Sequence, residues 1–251
     1  MSSSPIKLYV LPGSHPCAAV EAGMRLKSLD FKRIDWLPLT QLAAGPLLYG
    51  GRTVPGMRIG RERLVGSRAI MRRLDQLAPE PPLLPPPGSP TYAQVLEAER
   101  WGDEVFQSVP RRILDLCFVR RPEAMLSYAG DAKLPLPDGL QRPVTPLVAR
   151  LMAMLNKGSE ENVRADLTAL PTQLARVDQW IAEGLLGQEQ PNAADLQIGS
   201  TIRLLLTIGD LVPLIEPHPA AALVRYFPPM PGEIPVGVLP AAWLPAVPAG
   251  V

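Results

Sequence analysis

The chain has little cysteine and histidine, with only two of each among its 251 residues. Cys17 and Cys117 lie far apart, so neither a disulfide framework nor a cysteine-rich zinc site can be built from them. His15 and His218 leave little material for a histidine metal site or for Ser-His-Asp chemistry. We therefore expect a protein without a bound metal.

The sequence also lacks a dominant charge and a long apolar run. The formal net charge is +1, so no global field attracts nucleic acid or an anionic membrane, and neither is an expected partner. No apolar stretch reaches the length of about 18 residues that a membrane span needs. The first 13 residues contain no apolar core of a secretory signal, so the expected location is the cytoplasm, where both thiols stay free.

Aromatic residues are scarce at 5%, but hydrophobic residues make up 47% of the chain, enough for a substantial core. Many of the 31 prolines fall in two segments. Proline has a fixed φ and no N–H, so neither a helix nor a central strand crosses such a segment. We therefore predict a domain at residues 1–78, a linker at 79–90, a second domain at 91–226 and an extended tail at 227–251. The expected anchors of the tail are Ile234, Val236, Leu239 and Trp243.

The first domain alternates between strand and helix patterns. The run IKLYVL (6–11) predicts a strand, residues 15–27 a helix and FKRIDW (31–36) a second strand. A Gly- and Pro-rich loop is expected next. Two short strands joined at Gly60 and Arg61 then predict a hairpin, followed by a helix over 66–77.

The second domain is predicted to be helical throughout. One apolar face includes Val95, Trp101, Val105 and Phe106, and Pro110 is expected to kink that helix. Residues 121–140 are typical of a long connection. Further helices are expected from 145 and from 163, the latter divided at Pro171. Asn192 and Asp195 predict a capping box at the start of an apolar helix over 196–208.

This order of elements resembles the cytosolic glutathione transferases, and three segments carry the resemblance. LYVLPGSHPCAAV (8–20) is similar to the family's first strand, active-site loop and first helix. TVPGMRIGRERLVGSRAIMRRLD (53–75) is similar to its Val-Pro, hairpin and Glu-Ser-x-Ala-Ile pattern, with Gly66 in place of the acidic residue. LLGQEQPNAADLQIG (185–199) is similar to its capping segment. The resemblance implies an α/β thioredoxin-like N-terminal domain followed by an all-α C-terminal domain.

The resemblance also implies a chemistry, the conjugation of glutathione or another low-molecular-weight thiol to an electrophile. Ser14 occupies the place of the family's catalytic serine or cysteine, and Cys17 that of the second cysteine of a Cys-x-x-Cys redox motif. Both are therefore candidate catalytic residues. Ser14 as a simple helix cap, and Cys17 as a small core residue, are the alternatives.

The remaining site residues follow from the same resemblance. Pro55 corresponds to a cis-proline that presents the backbone of Val54 to the bound peptide, and Ser67 to a residue that binds a carboxylate at a helix start. The full set of expected thiol-binding residues is Gly13, His15, Thr53, Val54, Pro55, Gly66 and Ser67. The absence of an acidic side chain at Gly66 weakens the case for glutathione itself.

The electrophile is expected between the domains, with Trp101, Phe106, Arg111 and Arg112 as candidate walls. A homodimer and a role in detoxification are implied by the resemblance. Two other functions stay open: a non-catalytic binding protein with this fold, and a thiol-disulfide oxidoreductase that uses Cys17.

Overall fold

A computed structural model describes residues 5–130 and 138–246, and the side chains of 138–141 are not described. Four strands form one mixed sheet in the order β2-β1-β3-β4. Their bounds are β1 Ile6–Val10, β2 Phe31–Asp35, β3 Gly56–Ile59 and β4 Glu62–Val65. Strand β1 pairs in parallel with β2 and antiparallel with β3, which pairs antiparallel with β4. The predicted βαβ unit and hairpin are confirmed.

Helix α1 (His15–Leu26) connects β1 to β2, and helix α3 (Ser67–Leu77) follows β4. The segment between β2 and β3, predicted to be a loop, contains helix α2 (Gln41–Leu48). Gly45 contributed to the loop prediction, but in the structure it allows α2 to pack closely against the backbone of Gly51. A Cβ at Gly45 would lie 2.2 Å from the carbonyl oxygen of Gly51. Tertiary contact therefore overrides low helix propensity here.

The remainder of the chain is mainly helical. Its α-helices are α4 Tyr92–Trp101, α5 Ser108–Arg120, α6 Asp138–Asn156, α7 Glu160–Ala182, α8 Ala193–Leu205 and α9 Val212–Ile215. The predicted capping box is present: the Asn192 side chain accepts from the backbone of Asp195, and the Asp195 side chain accepts from the backbone of Asn192. Pro171 lies inside a single helix, so the predicted division of α7 is wrong. The predicted connection at 121–140 contains a 3₁₀ helix over Pro122–Ala129, and 131–137 lie outside the described residues.

A π-helical turn, Gly102–Phe106, joins α4 to α5. The Gln107 N–H donates to the Gly102 carbonyl at 2.8 Å, an i to i−5 bond. The predicted kink at Pro110 is replaced by this turn. Pro110 has no N–H to give to the carbonyl of Phe106, and the widened turn ends at that residue.

The proline-rich tail packs against the helical domain. Ile234 and Leu239 are buried as predicted, but Val236 is 78% exposed and is not an anchor. The Trp243 ring lies between the guanidinium groups of Arg120 and Arg164, at 4.7 and 4.4 Å. Within the described residues, no helix is both long enough and apolar enough to cross a membrane.

Candidate active site between the two domains

A cavity of about 520 Å³ lies between the domains, within the size range of small-molecule sites. The loop before α1 and the segment around the cis bond between Val54 and Pro55 line the same cavity. The thioredoxin-like wall includes, of the residues expected at the site, Gly13, Ser14, His15, Thr53, Val54, Pro55, Gly66 and Ser67. The two turns therefore lie at the same cavity.

Ser14 is the residue before α1, with extended backbone, and its side chain makes no capping hydrogen bond to the helix. The residue lines the cavity. A Pro at the second helical position removes one of the N–H groups that a cap would satisfy. This geometry disfavours the simple capping role for Ser14 and leaves the hydroxyl at a helix N-terminus that faces the cavity.

The position of Cys17 does not agree with the expectation that it is a catalytic residue. It is 2% exposed, packs in the N-terminal core and does not line the cavity. Burial raises the pKa of its thiol to about 12, although the Ser14 hydroxyl and the Leu11 backbone favour the thiolate. A redox-active cysteine needs an accessible thiolate. The structure therefore supports the alternative, a small core residue.

His15, the first residue of α1, is buried and lines the cavity. Burial holds its pKa well below the usual value, and the nearby Arg111 guanidinium acts in the same direction, so the imidazole is neutral. Its Nε2 atom has no hydrogen-bond partner among the described residues. The same is true of Oε1 of Gln41, another buried atom of a cavity-lining residue. Both atoms have almost no accessible surface, so they are enclosed by the protein rather than open to the cavity.

The turn at Gly66 and Ser67 begins α3. Gly66 has φ of 89°, a conformation that other residues rarely adopt, which accounts for the missing acidic side chain there. The Ser67 hydroxyl donates to Oε1 of Gln197 at 2.8 Å and so connects the two domains. Because the Ser67 hydroxyl is already bonded to Gln197, the groups available to a ligand here are the backbone N–H groups at the start of α3.

Two of the residues expected to bind the electrophile lie elsewhere. Trp101 and Phe106 are buried in the helical core, where their rings stack at 5.1 Å, and neither lines the cavity. Arg112 forms an ion pair with Asp166 and is likewise absent from the cavity wall. Arg111 alone among the four lines the cavity.

The sequence analysis did not identify most residues of the helical wall of the cavity. It consists of Asp103, Gln107, Arg111, Leu114, Asp115, Phe118, Tyr128, Met152, Leu155, Asn156 and Leu204. The polar members Asp103, Gln107, Arg111 and Asp115 recur every four residues. A polar stripe at helical spacing, beside an apolar one, was the signal available for this wall.

The charged groups of this wall perturb one another. Burial lowers the pKa of Arg111, and the negative charges of Asp115 and Asp103 act in the opposite direction. Burial raises the pKa of Asp115 to about 6 and also raises that of Asp103. Within the part of the chain that the structure describes, no group of His, Cys, Asp and Glu side chains is arranged to hold a metal ion.

Comparison with known proteins agrees with this architecture. Residues 8–82 match the model of the glutathione S-transferase N-terminal domain family. No curated protein sequence matches the chain. Among solved structures, the β-etherase LigF from Sphingobium sp. strain SYK-6 has a TM-score of 0.64 and 17% identity, over 88% of this chain and 93% of that one.

Two further structures are similar. A glutathione S-transferase from Rhodospirillum rubrum F11 has a TM-score of 0.56 and 20% identity, over 88% of this chain and 86% of that one. Glutathione transferase GSTFuA3 from Phanerochaete chrysosporium has a TM-score of 0.55 and 19% identity, over 82% and 86%. Residues 8–82 are therefore similar to the glutathione S-transferase N-terminal domain family, and the whole chain has the glutathione transferase fold.

Proposed function

We propose that this protein binds glutathione or a related low-molecular-weight thiol and conjugates it to an electrophile. The observation that carries the proposal is the position of Ser14. Ser14 lines a cavity of about 520 Å³ at the N-terminus of α1, and its side chain makes no capping bond to that helix. The family of the N-terminal domain and the fold of the chain support the same chemistry.

The thiol peptide is proposed to lie along the thioredoxin-like wall. The backbone of Val54 pairs with its cysteinyl unit, with Thr53 and Pro55 beside it and Gly13 and His15 opposite. The N–H groups at the start of α3 receive a carboxylate. Asp103 supplies the acidic group that Gly66 lacks: it lines the cavity, and the guanidinium of Arg68, at the start of α3, lies 3.8 Å from its carboxylate. We therefore assign the ligand's ammonium group to Asp103.

The proposed chemistry requires the thiolate. A free thiol has a pKa of about 8.5, and lowering it by about two units stabilises the anion by roughly 2.7 kcal/mol. One hydrogen bond from the Ser14 hydroxyl and the N-terminal end of α1 together account for a stabilisation of this size. The thiol proton leaves to solvent, the sulfur forms a bond to the electrophilic carbon, and the leaving group departs with its electron pair.

Binding without turnover is the second candidate, and one contact favours it. The Ser14 hydroxyl also lies near enough to the Cys17 thiol to influence its pKa. A hydroxyl that stays with Cys17 would not donate to the ligand's sulfur. Redox catalysis by Cys17 is disfavoured by its burial and its raised pKa.

Three variants separate these candidates. Ser14→Ala removes the proposed donor, Cys17→Ala removes the thiol, and Ser108→Ala is the matched control, because the Ser108 hydroxyl bonds to the Val105 carbonyl outside the cavity. Binding is measured by calorimetry with glutathione and other small thiols, and turnover with a chloronitrobenzene electrophile. Conjugation predicts that kcat/KM falls about 10- to 1000-fold in Ser14→Ala while the control is unchanged.

The other outcomes are equally informative. Thiol binding with no turnover in the unmodified protein would favour the binding function. Loss of activity in Cys17→Ala but not in Ser14→Ala would favour redox chemistry. Absence of binding to every thiol, by calorimetry and by thermal shift, would refute the proposal.

The remaining expectations are proposals as well: a homodimer, in the cytoplasm, with a small electrophile as second substrate. A partner subunit would cover apolar side chains of α6 that are exposed in the single chain, such as Leu147 and Met154. Sedimentation that gives the mass of one 27.2 kDa chain at micromolar concentration would refute the dimer.

A further inference from the structure

The part of the cavity wall formed by α5 and α6 combines two opposite charges that do not pair. Arg111 and Asp115 lie one turn apart on α5, and both line the cavity. Among the described residues, no ion pair within 4.0 Å joins them. The Arg111 guanidinium instead donates to Oε1 of Gln107 at 2.8 Å. Both charged side chains therefore line the cavity without an ion pair to each other.

Asp115 is buried and incompletely paired. It is 2% exposed, and its one hydrogen bond among the described residues comes from Nδ2 of Asn156 to Oδ2, at 2.7 Å. A carboxylate can accept on both oxygens, so Oδ1 is available. Leaving a buried charge in this state lowers stability, which makes it a costly feature for a purely structural wall.

The surroundings of this pair are apolar. The neighbouring wall residues are Leu114, Phe118, Met152, Leu155 and Leu204. A bound molecule must therefore have an apolar body and one polar group at the position of Arg111 and Asp115. An anionic group would be repelled by Asp115, and a cationic group by Arg111. A neutral hydroxyl fits both sides, since it accepts from Arg111 and donates to Asp115.

We propose that Arg111, Asp115 and Asn156 form a specificity subsite for a hydroxyl group on the electrophile. This inference rests on the proposed function, and it deepens that function by assigning the substrate class: hydroxylated apolar electrophiles, held with the hydroxyl away from the thiol. Asn156 acts as a positioning residue through its bond to Asp115. Arg111 and Asp115 contact the substrate.

Conjugates of glutathione test the subsite without chemistry. S-benzylglutathione is compared with its meta- and para-hydroxybenzyl and para-carboxybenzyl analogues by calorimetry. In the unmodified protein, one of the hydroxybenzyl conjugates is expected to bind about 10-fold tighter than the benzyl conjugate, because hydrogen bonds to charged groups are the strong ones. The carboxybenzyl conjugate is expected to bind more weakly than the benzyl conjugate.

Asp115→Leu, which matches aspartate in shape, should abolish the hydroxyl preference while S-benzylglutathione still binds. Asp115→Asn provides a second variant if the first does not fold: without the negative charge, the carboxybenzyl conjugate should gain several-fold relative to the benzyl conjugate. Asp166→Asn is the matched control, a buried carboxylate that bonds to Arg112 outside the cavity, and should leave all preferences unchanged.

The outcomes separate this inference from the proposed function. If glutathione and S-benzylglutathione bind but neither hydroxybenzyl conjugate binds tighter, the subsite is refuted and the proposed function stands. The same holds if the preference survives in Asp115→Leu. If neither glutathione nor any conjugate binds, both proposals are refuted.

Discussion

The linker between the domains is fastened by one buried lysine, and removing that lysine should cost much of the protein's stability. The side chain of Lys27 is fully buried at the end of α1. Its ammonium group donates to the carbonyls of Ala78 at 2.6 Å and Pro81 at 2.8 Å, and lies 2.7 Å from Oδ1 of Asp75. An ammonium group has three donors, so all three are satisfied.

Asp75 continues the network into the linker. Its two carboxylate oxygens accept from the backbone N–H groups of Leu83 at 2.8 Å and Leu84 at 3.0 Å. Leu83 is itself buried in the N-terminal core, and its carbonyl accepts from the N–H of Ala193 at the start of α8. The lysine and the aspartate therefore hold the linker in the place from which the helical domain is docked.

Lys27→Met keeps the apolar stem but leaves two carbonyls without their donor and the Asp75 carboxylate without its cation. Removing one partner of a buried pair costs about 3–5 kcal/mol. The Asp75 side chain is 20% exposed, so water relieves part of this loss and we expect about 3 kcal/mol. For a chain of this length, that lowers Tm by roughly 6–12 °C.

Thermal and urea unfolding measure the effect, with Lys32→Met as the matched control because Lys32 is exposed on β2. The control should change the free energy of unfolding by less than about 0.5 kcal/mol. Combining Lys27→Met with Asp75→Asn should cost less than the sum of the single changes, by about 1 kcal/mol or more. A Lys27→Met protein as stable as the control would refute the reasoning.

Three further results are expected. Cys17 is buried, and burial raises the pKa of its thiol to about 12, so iodoacetamide should label Cys17 only after unfolding, and rapid labelling of Cys17 in the native protein would contradict its burial. Asp210→Ala removes the acceptor for the N–H groups of Gly237 and Leu239, so unfolding should become easier by about 1–3 kcal/mol and limited proteolysis should cut the tail first. The pKa of Asp115 is about 6 in the folded protein and about 3.9 in the unfolded chain, so its contribution to stability is present below pH 3.9 and lost as pH rises through 6. Urea unfolding at several pH values should therefore show the protein losing up to about 3 kcal/mol of stability relative to Asp115→Asn as pH rises. A stability difference between the two proteins that does not change with pH would contradict this.

The residues of the thioredoxin-like half of the site were expected from the resemblance, and its motifs stand next to strong local signals. Pro12 and Gly13 end a strand just before the helix of Ser14, and Val54 and Pro55 stand just before a hairpin strand. Strand ends on one edge of a sheet come together in space, so locating the strands also locates the site. The role of Lys27 lacked such a signal: a lysine at a helix end is usually a solvated residue, and its partners lie about 50 residues further along.

The helical half of the site was missed because the sequence-based assignment followed the apolar residues, whose spacing the π turn changes. In an α-helix, Trp101 shares a face with Val105, which the sequence-based assignment placed in the apolar stripe. Val105 is 44% exposed, whereas Phe106, five residues after Trp101, stacks on its ring at 5.1 Å. Five-residue spacing on one face is the signature of the π turn, which shifts the phase of everything that follows.

That shift decides which side chains the cavity receives. After the turn, Gln107 and the α5 residues Arg111 and Asp115 line the cavity, while most apolar residues of α5 pack in the core. Pro110 favours the turn by withholding a donor, and Gly102 lets the turn pack close to α8, since a Cβ at Gly102 would lie 2.9 Å from the side chain of Ile198. Neither residue lines the cavity, yet together they determine the composition of its helical wall.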